Sequence, residues 1–130
     1  MPKFSQASLD KLSTCDERLQ NVFNEVIKYY DCIIICGHRG EKEQNEAYMK
    51  GFSKLKWPHG KHNTLPSKAV DSLPYPINWQ DSKSHLFFAG FVIGIASTMG
   101  IKLRWGGDFN NDRNFSNDSF LDRPHFELVD

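Results

Sequence analysis

From Ser5 to Tyr30 the apolar positions Leu9, Leu12, Leu19, Val22, Phe23, Val26 and Ile27 recur at three- and four-residue intervals, the spacing that keeps one side of a helix dry. The pattern predicts two N-terminal helices. Ser8 is placed to open the first and Thr14 or Asp16 to cap the second, because short polar side chains satisfy the orphan amides of a first turn. Cys32-Ile33-Ile34-Ile35-Cys36 changes the period to a continuous apolar, β-branched run stopped by Gly37, which reads as a buried strand with His38 and Arg39 at its mouth. Glu41 to Met49 is polar and helix-favouring, and Gly51 stands where a helix commonly ends. Pro58, Gly60 and Pro66 then break regular structure, so a long loop feeds a strand that begins at Lys68-Ala69-Val70-Asp71. Asp81 or Ser82 opens a mainly apolar helix through Met99, with Gly100 at its end, and Ile101 to Trp105 reads as a further strand. An Asn/Asp/Ser-rich loop over residues 108–119 separates it from a terminal strand, His125 to Val129.

A chain of 130 residues and 15.0 kDa without repeats, low-complexity tracts or an interdomain linker is expected to form a single domain over residues 1–130. Lys plus Arg total 16 and Asp plus Glu total 16, so no basic field is available for a phosphate backbone and nucleic acid is not an expected partner. The 10 Phe, 4 Tyr and 3 Trp supply large side chains for burial and argue against disorder. The longest mainly apolar stretch, Leu86 to Ile101, is shorter than the roughly 20 residues a bilayer span needs and is diluted by Gly90, Gly94, Ser97 and Thr98. Asp10, Asp16 and Glu17 interrupt the region where a signal peptide needs an unbroken apolar core. The expectation is therefore cytoplasmic synthesis without a cleaved leader and without stable membrane insertion. Cys15, Cys32 and Cys36 are an odd, sparse set, expected as buried free thiols.

A catalytic zinc commonly takes three protein ligands, neutral imidazoles and a deprotonated carboxylate among them, and leaves one position for water. His62, Asp71 and His125 could supply such a set, although each alone is as readily a surface or structural residue. Arg39 could instead pair with Glu41 or Glu43, Asp122 could cap a turn, and Asp71 could end a strand. His59 forms His59-x-x-His62 with one candidate, but Pro58 and Gly60 oppose the helical turn that would align both rings. His38 and His85 read as packing or solvent residues, and Trp57, Trp79 and Trp105 as core or groove walls, with Trp105 beside Gly106-Gly107 the best groove candidate. Asp108-x-Asn110-x-Asp112-x-Asn114 superficially matches a calcium loop, yet Arg113 stands where the loop needs Gly and Ser119 where it needs a bidentate Glu. A substrate-covering loop explains the same residues equally well.

Four blocks occur in a telling order. They are Gly37-His38-Arg39 followed by Gln44, Asn45, Tyr48 and Gly51; Lys61-His62-Asn63 with Pro66-Ser67-Lys68-Ala69-Val70-Asp71; Pro74-Tyr75-Pro76-Ile77-Asn78-Trp79; and Arg104-Trp105-Gly106-Gly107-Asp108 with Asp122-Arg123-Pro124-His125-Phe126-Glu127-Leu128. In this order they resemble the M15 zinc peptidases, especially the phage and bacterial L-alanyl-D-glutamate (endolysin-type) peptidases that cut the stem peptide of peptidoglycan.

The resemblance implies an α+β fold in which helices pack on a small antiparallel sheet carrying a zinc site. It implies zinc held by His62, Asp71 and His125, Asp122 as general base, and Arg39 as the cation that stabilises an oxyanion or holds a substrate carboxylate. Gln44 is expected to support that loop or touch substrate, and Trp105 to line the groove. Many relatives place Ser where this chain has Gly60, and the base is Asp122 where the wider family commonly has Glu. The implied substrate is the peptidoglycan stem peptide, cut at L-Ala-D-Glu by a monomer that reaches the wall after another factor releases it across the membrane. Two alternatives stand beside this expectation: a D-Ala-D-Ala carboxypeptidase or dipeptidase of the same family, and a non-catalytic, zinc-stabilised cell-wall-binding module.

Overall fold

The computed structural model describes residues 2–106 and 123–129. In chain order these form α1 (Gln6–Leu12), α2 (Glu17–Val26), β1 (Cys32–Cys36), α3 (Glu41–Met49), a 3-10 turn (Lys61–Asn63), β2 (Ala69–Pro74), α4 (Ser82–Thr98), β3 (Leu103–Trp105) and β4 (His125–Leu128). The strands make one antiparallel sheet in the order β1-β2-β4-β3. This is the expected α+β arrangement of helices on a small antiparallel sheet.

Local chemistry sets the element ends. Asp16 caps α2 by accepting the Arg18 amide at 2.9 Å, and Asp81 caps α4 by accepting the Ser84 amide at 3.1 Å. The first helix opens earlier than expected. Ser5 takes the cap, while Ser8 lies inside α1 and its hydroxyl accepts the Ile34 amide of β1 at 3.1 Å. Strand β2 takes up the run that begins at Lys68-Ala69-Val70-Asp71 and continues to Pro74, so Asp71 lies within the strand and does not end it. Ser72 donates to the Ile33 carbonyl at 2.8 Å, and Asp71 points to the opposite face. Strand β3 starts at Leu103 instead of Ile101, whose amide is still closing α4 through Ala96 O at 2.9 Å.

Side chains alternate across a sheet, and here the alternation divides two chemistries. Cys32, Ile34, Val70, Phe126, Leu128, Leu103 and Trp105 share the face covered by α2 and α4, where they join Val22, Phe23, Val26, Phe88, Val92 and Ala96 in the core. Edge-to-face rings tie this layer together, with Phe126 5.7 Å from Phe23 and 6.1 Å from Phe88. The other face carries Asp71 opposite His125 and Arg104 opposite Glu127. A register shift between Ile34 and Cys36 brings Cys36 opposite Asp71 as well. Cys15 and Cys32 are buried free thiols as expected, whereas Cys36 is only half-buried because this shift turns it to the polar face. Among the described residues no helix is long and apolar enough to cross a membrane.

Candidate metal centre

The two strands and the 3-10 turn bring His62, Asp71 and His125 together. One ligand-capable atom from each lies within 4.8 Å of the others, and all three residues are buried. Asp71 Oδ1 is 3.1 Å from His62 Nε2 and 3.3 Å from His125 Nδ1. Two ligands of a tetrahedral zinc at ordinary bond lengths stand about 3.3 Å apart, so the donor set fits a metal in chemistry and the two Asp71 distances fit it in spacing.

Each imidazole is tied off on the nitrogen that faces away from this point. His62 Nδ1–H donates to the Gly37 carbonyl at 2.7 Å, and His125 Nε2–H donates to Glu127 Oε1 at 2.8 Å. Such hydrogen bonds fix the tautomer and leave the inward nitrogen free to ligate. Gly37 is required for the first of them: a Cβ there would stand 2.3 Å from the Lys11 carbonyl and 2.4 Å from Thr14 Oγ1, so the end of β1 meets the end of α1 only without a side chain.

The electrostatics match a cation site. Burial opposes ionisation of Asp71, but the charge of His62 and hydrogen bonds from both imidazoles hold its carboxyl well below the usual range. Burial pulls His62 down, yet the Asp71 charge and hydrogen bond overcome it and raise the pKa to about 10. His125 is likewise pulled down by burial and raised to about 9 by its hydrogen bonds to Asp71 and Glu127. Without a metal, protons take the place of the cation that this carboxylate demands. The Cys36 thiol also feels the site: burial pushes it up, but hydrogen bonding to His62 and the His62 charge leave it below its ordinary value.

Arg39 borders this cluster, with Nη2 3.4 Å from Asp71 Oδ2 and 3.7 Å from Cys36 Sγ. Its other terminal nitrogen donates to Gln44 Oε1 at 3.0 Å. Gln44 is enclosed by hydrogen bonds at both ends of its side-chain amide. The side chain is 1% exposed, its oxygen also accepts from Asn63 Nδ2 at 3.1 Å, and its amide nitrogen donates to Ser53 Oγ at 3.0 Å and Leu55 O at 2.6 Å. Trp105, expected to line a groove, is 6% exposed in the core, and its indole N–H donates to Arg123 O at 2.6 Å. It lies on the apolar face of β3, opposite Phe126, which explains the difference. His59 is exposed and outside the donor group, and His85 is buried in α4. Asp122 and the 108–119 loop lie outside the described residues.

Sequence reasoning gave no role to Glu127, although it is 8% exposed and bonded to a candidate ligand. The usable signal was spacing, since residues two apart on a strand share a face and His125 was already a candidate.

A model of the phage L-alanyl-D-glutamate peptidase family matches residues 1–129. The chain belongs to this family. The L-alanyl-D-glutamate peptidase of Escherichia phage T5 is 29% identical over 135 aligned positions, covering 98% of each chain. The crystal structure of Serratia marcescens L-Ala D-Glu endopeptidase ChiX superposes with a TM-score of 0.74 over 98% of this chain and 90% of that one. At 24% identity, the latter likeness establishes a shared fold. The L-alanyl-D-glutamate peptidase family thus accounts for nearly the whole chain, the N-terminal helices included.

Proposed function

We propose that this chain is a zinc-dependent peptidoglycan endopeptidase that hydrolyses the L-Ala-D-Glu bond of the stem peptide. The observation that carries the reading is the convergence of His62, Asp71 and His125, with both outward imidazole nitrogens already hydrogen-bonded, in a member of this peptidase family. Zinc held by these three residues would supply Lewis acidity, polarising the scissile carbonyl and acidifying a coordinated water. Among the described residues nothing joins the three as a fourth ligand, which favours an open catalytic site over a closed structural one.

The chain's own groups then divide the remaining work. Asp122, three residues before His125, takes the proton of the attacking water and delivers it to the leaving amine. Arg39 offers a guanidinium at the border of the cluster, held by Gln44, to the developing oxyanion or to a substrate carboxylate. Pairing to Asp71 limits its motion, so its donors are oriented before substrate arrives. The protein is proposed to act as a monomer on the cell wall, after another factor gives it passage.

Mass spectrometry of purified peptidoglycan digested with and without chelator tests this reading. The expected product is stem peptide freed from muramyl-L-Ala, absent with chelator and restored by zinc. Release of single D-Ala would instead identify a carboxypeptidase, and no cleavage with zinc bound would leave a wall-binding module. Asp122→Ala is expected to retain zinc and lose hydrolysis; wild-type turnover in that variant would remove Asp122 as the base.

A further inference from the structure

Glu127 divides its carboxylate between two tasks. Oε1 accepts the Nε2–H of His125 at 2.8 Å, while Oε2 faces Lys61 Nζ at 3.5 Å and Arg104 Nη1 at 3.7 Å. Lys61 immediately precedes His62 in the 3-10 turn, and its ammonium also donates to the Leu128 carbonyl of β4. The turn that carries the first metal-ligand candidate is therefore tied to the strand that carries the third, and Glu127 lies at the junction.

We infer that Glu127 is a positioning residue for the metal centre, orienting His125 so that Nδ1 faces the metal and clamping the His62 turn against β4 through Lys61. The inference rests on the metal-site reading above. The geometry supports more than a generic ion pair. His125 and Glu127 stand on the same face of β4, and the shared proton settles which imidazole nitrogen is left bare. A carboxylate in this place also makes the imidazole a stronger donor to a metal. The two cations on Oε2 fix the rotation of the carboxylate, so the hydrogen bond to His125 is kept in one geometry.

Zinc titration of the metal-free protein against a chromophoric chelator tests the assignment, together with the visible absorption of the cobalt(II)-substituted protein. Wild type is expected to bind one zinc; if it binds none, the metal-site reading itself fails, whatever Glu127 does. Given wild-type binding, Glu127→Ala is expected to weaken zinc affinity about 10- to 100-fold and to change the cobalt spectrum. Glu127→Gln keeps an acceptor for the imidazole N–H but loses the charge, so its affinity should fall between the two and its cobalt spectrum should return toward wild type. A purely structural role would lower the melting temperature of the metal-free variants without moving zinc affinity or the spectrum. Folded variants with wild-type zinc affinity and cobalt spectrum would overturn the inference. If Glu127→Ala does not fold, the Gln variant decides alone, reduced affinity supporting the role and unchanged affinity refuting it.

Discussion

The two faces of the sheet are built from the same strands and do opposite things. One face is apolar: Ile34, Val70, Phe126 and Leu128 meet the helix layer and release water from large hydrocarbon surfaces. The other buries Asp71, His125 and Glu127, groups that are stable away from water only with partners. A single residue step along β2, from Val70 to Asp71, crosses from one regime to the other. The apolar face holds the strands in register, and the register delivers Asp71 opposite His125. Stability and chemistry are thus separable by face, and that separation can be tested.

The largest effect is expected on the polar face. Asp71→Asn keeps the shape of the side chain but removes the only negative charge among the three metal donors, so zinc binding and hydrolysis should fall below detection while far-ultraviolet circular dichroism stays native. Calorimetric zinc titration checks the first and muropeptide release the second. On the apolar face the reverse is expected. Phe88→Ala removes a buried ring that packs against Phe126 and Tyr30 and should cost about 3–5 kcal/mol in denaturant unfolding. Zinc affinity of the folded fraction should be unchanged.

pH sharpens the same comparison, because the polar face titrates and the apolar face does not. In the metal-free protein, His62 and His125 are raised to about 10 and about 9. Their contribution to stability is fully present below the ordinary imidazole value of about 6.5 and is lost as pH rises through the raised values. Asp71 is lowered, so its contribution is present above the ordinary carboxylate range and lost in acid. The melting temperature of chelated protein should therefore fall from neutral toward alkaline pH. Zinc affinity should rise over the same window, since fewer protons must be displaced. Asp71→Asn should flatten both trends.

Smaller effects follow at the margins. Gln44→Ala withdraws the acceptor that holds Arg39 and should lower kcat on the order of 10- to 100-fold with zinc affinity intact, measured by steady-state hydrolysis. Gly90→Ala lies on the open side of α4, where an added Cβ meets nothing within 4 Å, and should stabilise the protein by about 0.5–1 kcal/mol without altering zinc affinity.

Much of this division was legible in the sequence, for reasons that are local. Asp16 and Asp81 announce helix starts because a cap acts within three residues, and the apolar run Cys32–Cys36 announces a strand by composition. His62, Asp71 and His125 stood out through their neighbouring motifs. What escaped notice depends on pairing between distant segments. Trp105 looked like a groove wall until the β3–β4 register turned it toward Phe126. Cys36 looked like a core thiol until the register shift in β1 set it opposite Asp71. Glu127 passed as an ordinary charged residue because Lys61 and Arg104 reach it only after β4 is seated between β2 and β3.

Zinc-edge anomalous diffraction from crystals grown with zinc tests the centre of this account most directly. The account predicts a strong peak bounded by His62 Nε2, Asp71 Oδ1 and His125 Nδ1. A zinc peak elsewhere, or none between those atoms at saturating zinc, would contradict it.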